Sequence, residues 1–386
     1  MDRREFLRSG AIGVGLAGLP GALGAKLFDP LDSIVPIRAT PDRLFRVTVC
    51  LRPFRAVGPR IEVEQVGRKR VVHNYGHGGS GWSLAWGSAA EAVSLAMEDS
   101  PAEIAVIGAG ALGLSAAITA QLRGAKVTIY AKEQFPDVRS ARATGTWSPD
   151  SRIAMEKAAG PAFGDRWEKM ARTSFQMYQS YLGMPGDPVE WTDRYILSDA
   201  PPGERRAVRD GGETHDDHFA ELEHRLSDIM PHSVPIEGPH PFATPYVRRN
   251  SSLTFNVADL SRQLTRDFLI GGGAIVPMEF HQPSDIGKLR QKVVINCTGY
   301  GARALWKDES IVPVRGQIAW LIPQPGATYG IYYNGLSVLA RRDGIVVQAL
   351  GADDWFGYGD DNETPDRAAA AASVTQAASF WAPQTA

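Results

Sequence analysis

The stretch 103–115 has the residue types and spacing needed to bind the phosphates of a dinucleotide. A short run rich in β-branched residues ends in three glycines, Gly108, Gly110 and Gly113, spaced as G-x-G-x-x-G. A helix-forming run and a second strand-like run, 126–130, follow directly, and this strand–turn–helix–strand context is the one that the fingerprint requires. The first glycine permits the turn, the second lets the backbone approach a pyrophosphate, and the third lets helix and strand pack closely. Because the first N–H groups of a helix also attract phosphate, we predict a dinucleotide site here; the alternative is a packing turn between a strand and a helix.

A second glycine-rich stretch, 71–87, precedes the fingerprint and has the composition of a ligand-binding loop. Four of its glycines fall within six residues, namely Gly76, Gly78, Gly79 and Gly81. Such density indicates that the backbone either lies close against a flat group or adopts positive φ. A helix is predicted to follow over 89–97, with its N-terminus directed toward the glycines. An open loop beside a helix start fits a cofactor ring or a phosphate tail better than an ordinary turn.

Composition and cysteine usage limit the class of protein. The chain has 386 residues, is 44% hydrophobic and carries a formal net charge of −2. That length allows about two domains, and the charge balance argues against nucleic acid as a partner, because no basic excess exists to neutralise phosphates. Cys50 and Cys297 lie in apolar strand-like runs and are predicted to be buried thiols rather than a disulfide framework. The His-Asp-Asp-His segment 215–218 has a spacing that could hold a metal on a helix, but its acidic surroundings favour a solvated surface, so we predict no metal site.

Residues 1–25 are predicted to be an export leader rather than part of the fold. Arg3 and Arg4 open a charged segment, a short glycine-rich apolar run follows, and 22–24 has the small residues of a cleavage site. The paired arginines resemble a twin-arginine signal, so the twin-arginine export machinery is a predicted partner and the periplasm the predicted location. The apolar run is too short to span a bilayer comfortably; an uncleaved leader would instead tether the protein to the membrane. Residues 26–43 are predicted to be a linker.

Several separate motifs are similar to those of the D-amino-acid oxidase family. Besides the fingerprint they are Arg52-Pro53-x-Arg55, His73-Asn74-Tyr75-Gly76-His77-Gly78-Gly79-x-Gly81, Gly145-x-Trp147-x-Pro149, Asn296-Cys297-Thr298-Gly299 and Pro313-Val314-Arg315-Gly316-Gln317-Ile318. Members of this family use FAD to oxidise amino acids to imino acids. The resemblance implies an α/β fold, with a Rossmann-type FAD-binding domain and an inserted α+β substrate domain built on an antiparallel sheet.

The resemblance also implies which residues contact FAD. They come from the fingerprint, the second glycine-rich stretch and later loops: Gly78, Gly79, Gly81, Trp82, Ser83, Gly108, Ala109, Gly110, Ala111, Leu112, Gly113, Glu133, Thr144, Gly145, Thr146, Thr298 and Gly299. Glu133 is predicted to bond the adenosine ribose; the alternative is a surface charge, because Lys132 occupies the acidic position of the family. Ser83 could instead cap a helix.

Three residues are predicted to act on the substrate. Arg52 is the predicted carboxylate clamp, since a guanidinium binds a carboxylate bidentately; the alternative is a salt bridge at the surface or between domains. The resemblance implies that Tyr333 positions or covers the substrate and that the Gly79 carbonyl accepts a hydrogen bond from its amine. The second tyrosine of the family falls at Ser337, a departure that affects the side-chain pocket. The family has no obligatory acid–base residue, so the histidines of the glycine-rich stretch are predicted to pack the loop.

The order of the motifs differs from that of the family. There the histidine–glycine loop closes the chain and the fingerprint opens it, whereas here the loop comes first. This order predicts a circular permutation, which is physically reasonable because domain termini often lie close together; the alternative is a fusion whose halves cannot form one site. The predicted domains are a leader (1–25), a linker (26–43), an FAD-binding domain (44–150 and 251–310) and a substrate domain (151–250 and 311–386).

The leading functional hypothesis is FAD-dependent oxidative deamination of D-amino acids. The product would be an imino acid, with O2 reduced to H2O2. The alternatives are a related amine or glycine-type oxidase, a dehydrogenase that passes electrons to a quinone, and a flavin-binding protein without turnover. The expected partners are therefore a small amino acid and either O2 or a quinone; a homodimer is left open.

Overall fold

The computed structural model describes residues 34–201 and 216–382, so the predicted leader and the first part of the predicted linker, 26–33, lie outside the described residues. The chain divides into two units, 1–34 and 35–386, and every described helix and strand lies in the second. The described strands are β1 Leu44–Phe54, β2 Val63–Val66, β3 Lys69–His73, β4 Glu103–Ile107, β5 Lys126–Ala131, β6 Val189–Ser198, β7 Val234–Pro235, β8 Tyr246–Phe255, β9 Ala274–Pro277, β10 Val293–Asn296, β11 Val312–Leu321, β12 Tyr329–Tyr333, β13 Leu336–Arg341 and β14 Gly344–Ala349. The described helices are α1 Ala85–Ala96, α2 Ala111–Leu122, α3 Glu156–Ala159, α4 Phe163–Gln179, α5 Val257–Ile270, α6 Ala302–Leu305 and α7 Arg367–Ala378. Among these helices, none has both the length and the apolar character needed to cross a membrane.

A six-stranded sheet carries the fingerprint. Its strand order is β2-β3-β10-β4-β5-β9, and all neighbours from β3 to β9 are parallel. In β4 the residues from Ile104 to Ile107 are buried, as expected of a parallel strand covered on both faces. The predicted strand–turn–helix–strand unit is confirmed, although α2 begins at Ala111, earlier than the helix-forming run alone indicated. The second glycine-rich stretch feeds α1, which packs against α2.

An eight-stranded sheet forms the second layer. Its order is β1-β11-β14-β13-β12-β6-β8-β7, with antiparallel neighbours except for β12 and β6. The chain is thus a mixed α/β protein with one mainly parallel and one mainly antiparallel sheet.

Strand β1 corrects the predicted domain boundary, because residues 44–150 were all expected in the FAD-binding domain. The strand pairs with β11 along its whole length, from Leu44 opposite Leu321 to Phe54 opposite Val312. It therefore belongs to the antiparallel sheet. It is also longer than the strand expected from its apolar run, so Arg52 lies within it, on the face opposite the buried Val49 and Leu51.

Besides the helices after the two glycine-rich stretches, the sequence predicts helices over 161–182, 218–229, 257–269 and 368–378. Three of these four predictions are confirmed, by α4, α5 and α7. The prediction over 218–229 is wrong, because this segment contains only a short 3-10 turn, Glu223–Leu226. The physical reason is a distant side chain: the Asp150 carboxylate accepts the N–H groups of Leu222 and Glu223, both at 3.0 Å.

Candidate functional site

A cavity of about 450 Å³ lies where the two sheets meet the glycine-rich loops. Its wall includes the end of β1, the second glycine-rich stretch, the fingerprint, the end of β5, and segments following Val138, Met278 and Cys297. Of the predicted site residues, those lining it are Arg52, Gly78, Gly79, Gly81, Trp82, Gly108, Ala109, Gly110, Ala111, Leu112, Glu133, Thr144, Thr298 and Gly299. A volume of this size is typical of a pocket for a small organic ligand.

The fingerprint has the geometry that its glycines predict. Gly108 adopts φ +102°, and a Cβ there would stand 2.6 Å from the Cys297 carbonyl oxygen. Gly113 does not line the cavity; it packs behind the turn, where a Cβ would overlap the Gly108 carbonyl oxygen. At the helix start, the Ala111 N–H donates to Ser140 Oγ at 3.2 Å. The first turn of α2 therefore borders the cavity, in the arrangement that favours a pyrophosphate.

The second glycine-rich stretch is clamped between β1 and residues 151–152. The Gly78 N–H donates to the Pro53 carbonyl and the Gly79 N–H to the Ser151 carbonyl, both at 2.9 Å. Gly78 has φ +53°, and a Cβ there would overlap the carbonyl oxygen of Arg152. No group in residues 34–201 or 216–382 donates to the Gly79 carbonyl. This loop therefore brings a free acceptor into the cavity that Arg52 also lines.

Arg52 is a cation for which the described residues supply no counter-ion. Its guanidinium forms no hydrogen bond or ion pair within the described residues. Burial, and then the charge of Arg152, lower the pKa of Arg52 to about 10. Arg152 differs, because its Nε donates to the Asp354 carbonyl at 2.6 Å and its Nη2 lies 3.4 Å from the Asp354 carboxylate. The cavity therefore contains a positive charge that no side chain of the described chain neutralises.

Four predicted site residues do not line the cavity with Arg52, in addition to Gly113. Ser83 is buried behind the wall and its Oγ accepts the Ser148 N–H at 2.9 Å. The Gly145 carbonyl accepts the Phe255 N–H at 2.7 Å, and Thr146 bridges to β8. These three residues hold the segment that presents Thr144 to the cavity. The Tyr333 hydroxyl lies elsewhere on β12, where it donates to the Asp199 carboxylate at 2.8 Å.

The two histidines of the glycine-rich stretch are both buried. His73 lies 2.9 Å from Glu64 through Nε2 and 3.0 Å from Asn296 through Nδ1. His77 makes no side-chain hydrogen bond, and burial, then the charge of Arg166, lower its pKa to about 3. Its ring is therefore neutral at physiological pH.

The two cysteines are free thiols that both line the cavity. Cys297 is buried as predicted, whereas Cys50 is only partly buried. Within the described ranges no cluster of histidine, cysteine and carboxylate residues could hold a metal ion. His215 lies outside the described residues.

Sequence reasoning missed several residues of the cavity wall. They are Arg139, Ser140, Arg142, Tyr300, Gly316, Ile318 and Gln348. Gly316 and Ile318 belong to the motif 313–318 but were not assigned to the site, and Gln348 is the one polar residue in the apolar run 345–350. At the far end Lys132 and Glu133 both border the cavity; they lie 3.9 Å apart, and Lys132 is also 3.5 Å from Glu279.

Comparison with known families identifies the class of protein. A profile of the FAD dependent oxidoreductase (DAO) family matches residues 103–386. Since this is well over half of the chain, the protein belongs to that family.

The individual relatives are more distant. The chain is 26% identical to the D-amino-acid oxidase of Streptomyces coelicolor over 234 residues, which are 58% of this chain and 60% of that protein. It is 26% identical to the D-amino acid oxidase of Dugesia ryukyuensis over 272 residues, 68% of this chain and 74% of that protein. The match therefore spans less than two thirds of the Streptomyces relative. A solved L-amino acid deaminase from Proteus vulgaris resembles the fold with a TM-score of 0.44 at 16% identity, covering 65% of this chain and 61% of that one.

Proposed function

We propose that this protein is an FAD-dependent oxidase of D-amino acids. The observation that supports this most strongly is the position of Arg52, whose unpaired guanidinium lines the same cavity as the dinucleotide fingerprint and the Gly79 carbonyl. A cation and a backbone acceptor in one wall match the carboxylate and the amine of an amino acid. The fingerprint supplies the neighbouring site for a dinucleotide.

The cavity wall fits FAD at the positions that the family would use. Gly81 and Gly299 both line the cavity, and a Cβ at either would meet no atom within 4 Å, so the backbone there is open to a flat group. The first turn of α2 would hold the pyrophosphate, and Glu133 would hold the ribose. When bound, FAD supplies the acceptor for a hydride from the substrate Cα.

The residues of the chain fix the orientation of the substrate. Arg52 would bind the carboxylate through two parallel hydrogen bonds, and the Gly79 carbonyl would accept an N–H of the amine. With these two groups fixed, only one enantiomer directs its Cα–H toward the cofactor, and this positioning is what the protein contributes to the rate. His77 also lines the cavity, but with its pKa lowered to about 3 its ring would be a weak proton acceptor, which is compatible with chemistry that needs no dedicated base.

The test is anaerobic titration of the purified yellow protein with D- and L-amino acids. Bleaching of the flavin absorbance by D-amino acids alone is the expected result. Peroxide formation after readmission of air distinguishes an oxidase from a quinone-linked dehydrogenase, and bleaching by glycine or N-methylglycine would favour a glycine-type oxidase. A protein that binds FAD but is bleached by none of these compounds would contradict the proposal and favour a non-catalytic flavoprotein.

The chain order is proposed to result from a circular permutation. The family match begins at residue 103 and so does not include Arg52 or the second glycine-rich stretch, yet both line the cavity with the fingerprint. In addition, Arg367 at the start of α7 donates to the Leu44 carbonyl at 3.2 Å, so a late helix adjoins the start of β1. The two halves therefore share one cavity, which does not favour an inactive fusion.

The cellular location is also a proposal. The leader 1–25 lies outside the described residues, so the argument rests on its paired arginines. We expect the protein in the periplasm. Fractionation of cells that express the protein, compared with a variant whose Arg3 and Arg4 are both lysine, tests this: protein retained equally in the cytoplasm in both cases would contradict it.

A further inference from the structure

Gln348 is a buried polar residue that the proposed mechanism does not use. It lies on β14, is only 5% exposed, and lines the cavity. Its register partner on β13 is Ser337, so both residues lie on the same face of the antiparallel sheet. Ser337 does not line the cavity, whereas Gln348 does. Ser337 stands where the family has its second tyrosine. Gln348 is its neighbour on the next strand, and it is Gln348 whose polar side chain lines the cavity.

Gly316 on β11 allows Gln348 and Arg52 to approach each other. A Cβ at Gly316 would overlap Arg52 Nη2 and would stand 3.1 Å from Gln348 Nε2. Both nitrogens therefore lie close to each other beside Gly316, at the wall of the cavity. Two donors this close together can bind the same small anion.

Neither side chain has a partner among residues 34–201 and 216–382, where neither the guanidinium of Arg52 nor the amide of Gln348 makes a hydrogen bond. Both side chains line the cavity, where a ligand could pair with them, and a carboxylate has more acceptor sites than a single guanidinium uses. By contrast, the Tyr333 hydroxyl is bonded to Asp199 and lies outside the cavity.

We propose that Gln348 is the second ligand of the substrate carboxylate and donates a hydrogen bond to it beside Arg52. This inference rests on the proposed function, because it assumes that an amino acid occupies the cavity. In this arrangement Arg52 provides the charge, Gln348 provides an additional donor, and Gly316 keeps the space between them open.

The test uses Gln348→Met, which keeps the length of the side chain and removes the donor. The probes are pyruvate, a 2-oxo acid of the product class, and pyruvamide, its neutral amide. Their dissociation constants are measured from the change in flavin absorbance of the FAD-loaded protein. The loss of one hydrogen bond to a charged group should weaken pyruvate binding by about 10- to 100-fold and leave pyruvamide and FAD binding within about twofold of wild type. In anaerobic reduction of the flavin by a D-amino acid, the KM for the amino acid should rise by a larger factor than kcat falls.

Two further variants make the result specific. Gln348→Glu places a carboxylate next to Arg52, where it would occupy the guanidinium and weaken pyruvate binding more than methionine does. Gln324→Met is the matched control, since it makes the same substitution at a glutamine that does not line the cavity and whose Nε2 donates to the Pro36 carbonyl at 2.8 Å; it should bind pyruvate as wild type does.

The possible failures can be told apart. If Gln348→Met binds FAD and pyruvate as tightly as wild type does, this inference is wrong and the proposed function is unaffected. Equal weakening of pyruvate and pyruvamide would also refute it, because it would indicate a general change in packing. If the wild-type protein binds no 2-oxo acid and no amino acid bleaches its flavin, the proposed function itself fails.

Discussion

Replacing Arg52 with methionine should stabilise the substrate-free protein while it removes most of the activity. The guanidinium lies in the cavity wall without a counter-ion among the described residues, and burial together with the Arg152 charge lowers its pKa to about 10. A cation whose pKa falls on folding is less favourable in the folded than in the unfolded state at every pH below that pKa. At neutral pH the depression corresponds to about 3 kcal/mol of lost stability. Methionine, of similar length, removes that cost and fills much of the same space.

In Arg52→Met, stability and activity should change in opposite directions. The free energy of unfolding of the ligand-free protein should rise by about 1–3 kcal/mol, which raises Tm by a few degrees. Loss of two hydrogen bonds to a carboxylate, at about 1.5–3 kcal/mol each, should lower kcat/KM for flavin reduction by at least about 100-fold. Thermal unfolding of the substrate-free holoenzyme and anaerobic stopped-flow reduction measure the two effects on one sample.

Arg315→Met is the matched control on the neighbouring strand. Arg315 is fully engaged, because its Nε donates to the Asn362 carbonyl at 2.8 Å and its Nη2 to the Thr364 carbonyl at 2.9 Å. This variant should lose about 1–3 kcal/mol of stability and keep its rate of flavin reduction. The reasoning is refuted if Arg52→Met is destabilised as much as Arg315→Met, because Arg52 would then have a partner, or if Arg52→Met is reduced by amino acids at the wild-type rate.

Two further predictions concern the glycine-rich loops. The His77 ring has a pKa of about 3 in the folded protein, against about 6.5 for an ordinary histidine in the unfolded chain. As the pH falls, the unfolded state therefore binds the proton first. The free energy of unfolding of the wild-type protein should fall by about 2 kcal/mol between about pH 7 and about pH 5. Denaturant unfolding at both pH values should show that His77→Gln removes this loss of stability, whereas replacement of the exposed His232 does not. If His77→Gln keeps the pH dependence of wild type, the prediction is wrong. In Gly113→Ala the new Cβ overlaps the Gly108 carbonyl oxygen, so the FAD dissociation constant should rise at least about tenfold. Gly287→Ala, where the Cβ meets no atom within 4 Å, should retain FAD, and equal retention by both variants would contradict the assigned role of Gly113.

The fingerprint could be predicted from the sequence because its constraints are local. The positive φ of Gly108 and the close approach of Gly113 to the Gly108 carbonyl oxygen both arise within one strand–helix unit, so the spacing identifies the turn. The failed helix over 218–229 shows the opposite case. Its backbone N–H groups bind Asp150, a residue far away in the sequence, and no local pattern contains that information.

The substrate side of the cavity depends on sheet register, which the sequence does not reveal. Arg52 was identified from its neighbours in the chain, but its contact with Gly316 arises only because β1 pairs with β11. Gln348 reaches the same point because β14 is the next strand. Tyr333 was proposed from its position in the family, yet β12 is four strands away from β1 in the sheet. Its role toward the substrate stays a prediction.

The unpaired charge of Arg52 also explains how folding and substrate binding are linked. The sheet holds the guanidinium of Arg52 beside Gly316, while the carboxylate of Asp354 is paired with the neighbouring Arg152. The folded protein without ligand therefore retains an electrostatic cost that no side-chain rearrangement within the described wall removes. Under the proposed function, a substrate carboxylate would remove this cost when it binds, so part of its affinity would come from destabilisation of the empty site rather than from new contacts alone. A neutral ligand of the same shape would gain no such term, so we expect the same arginine that weakens the empty fold to select carboxylates.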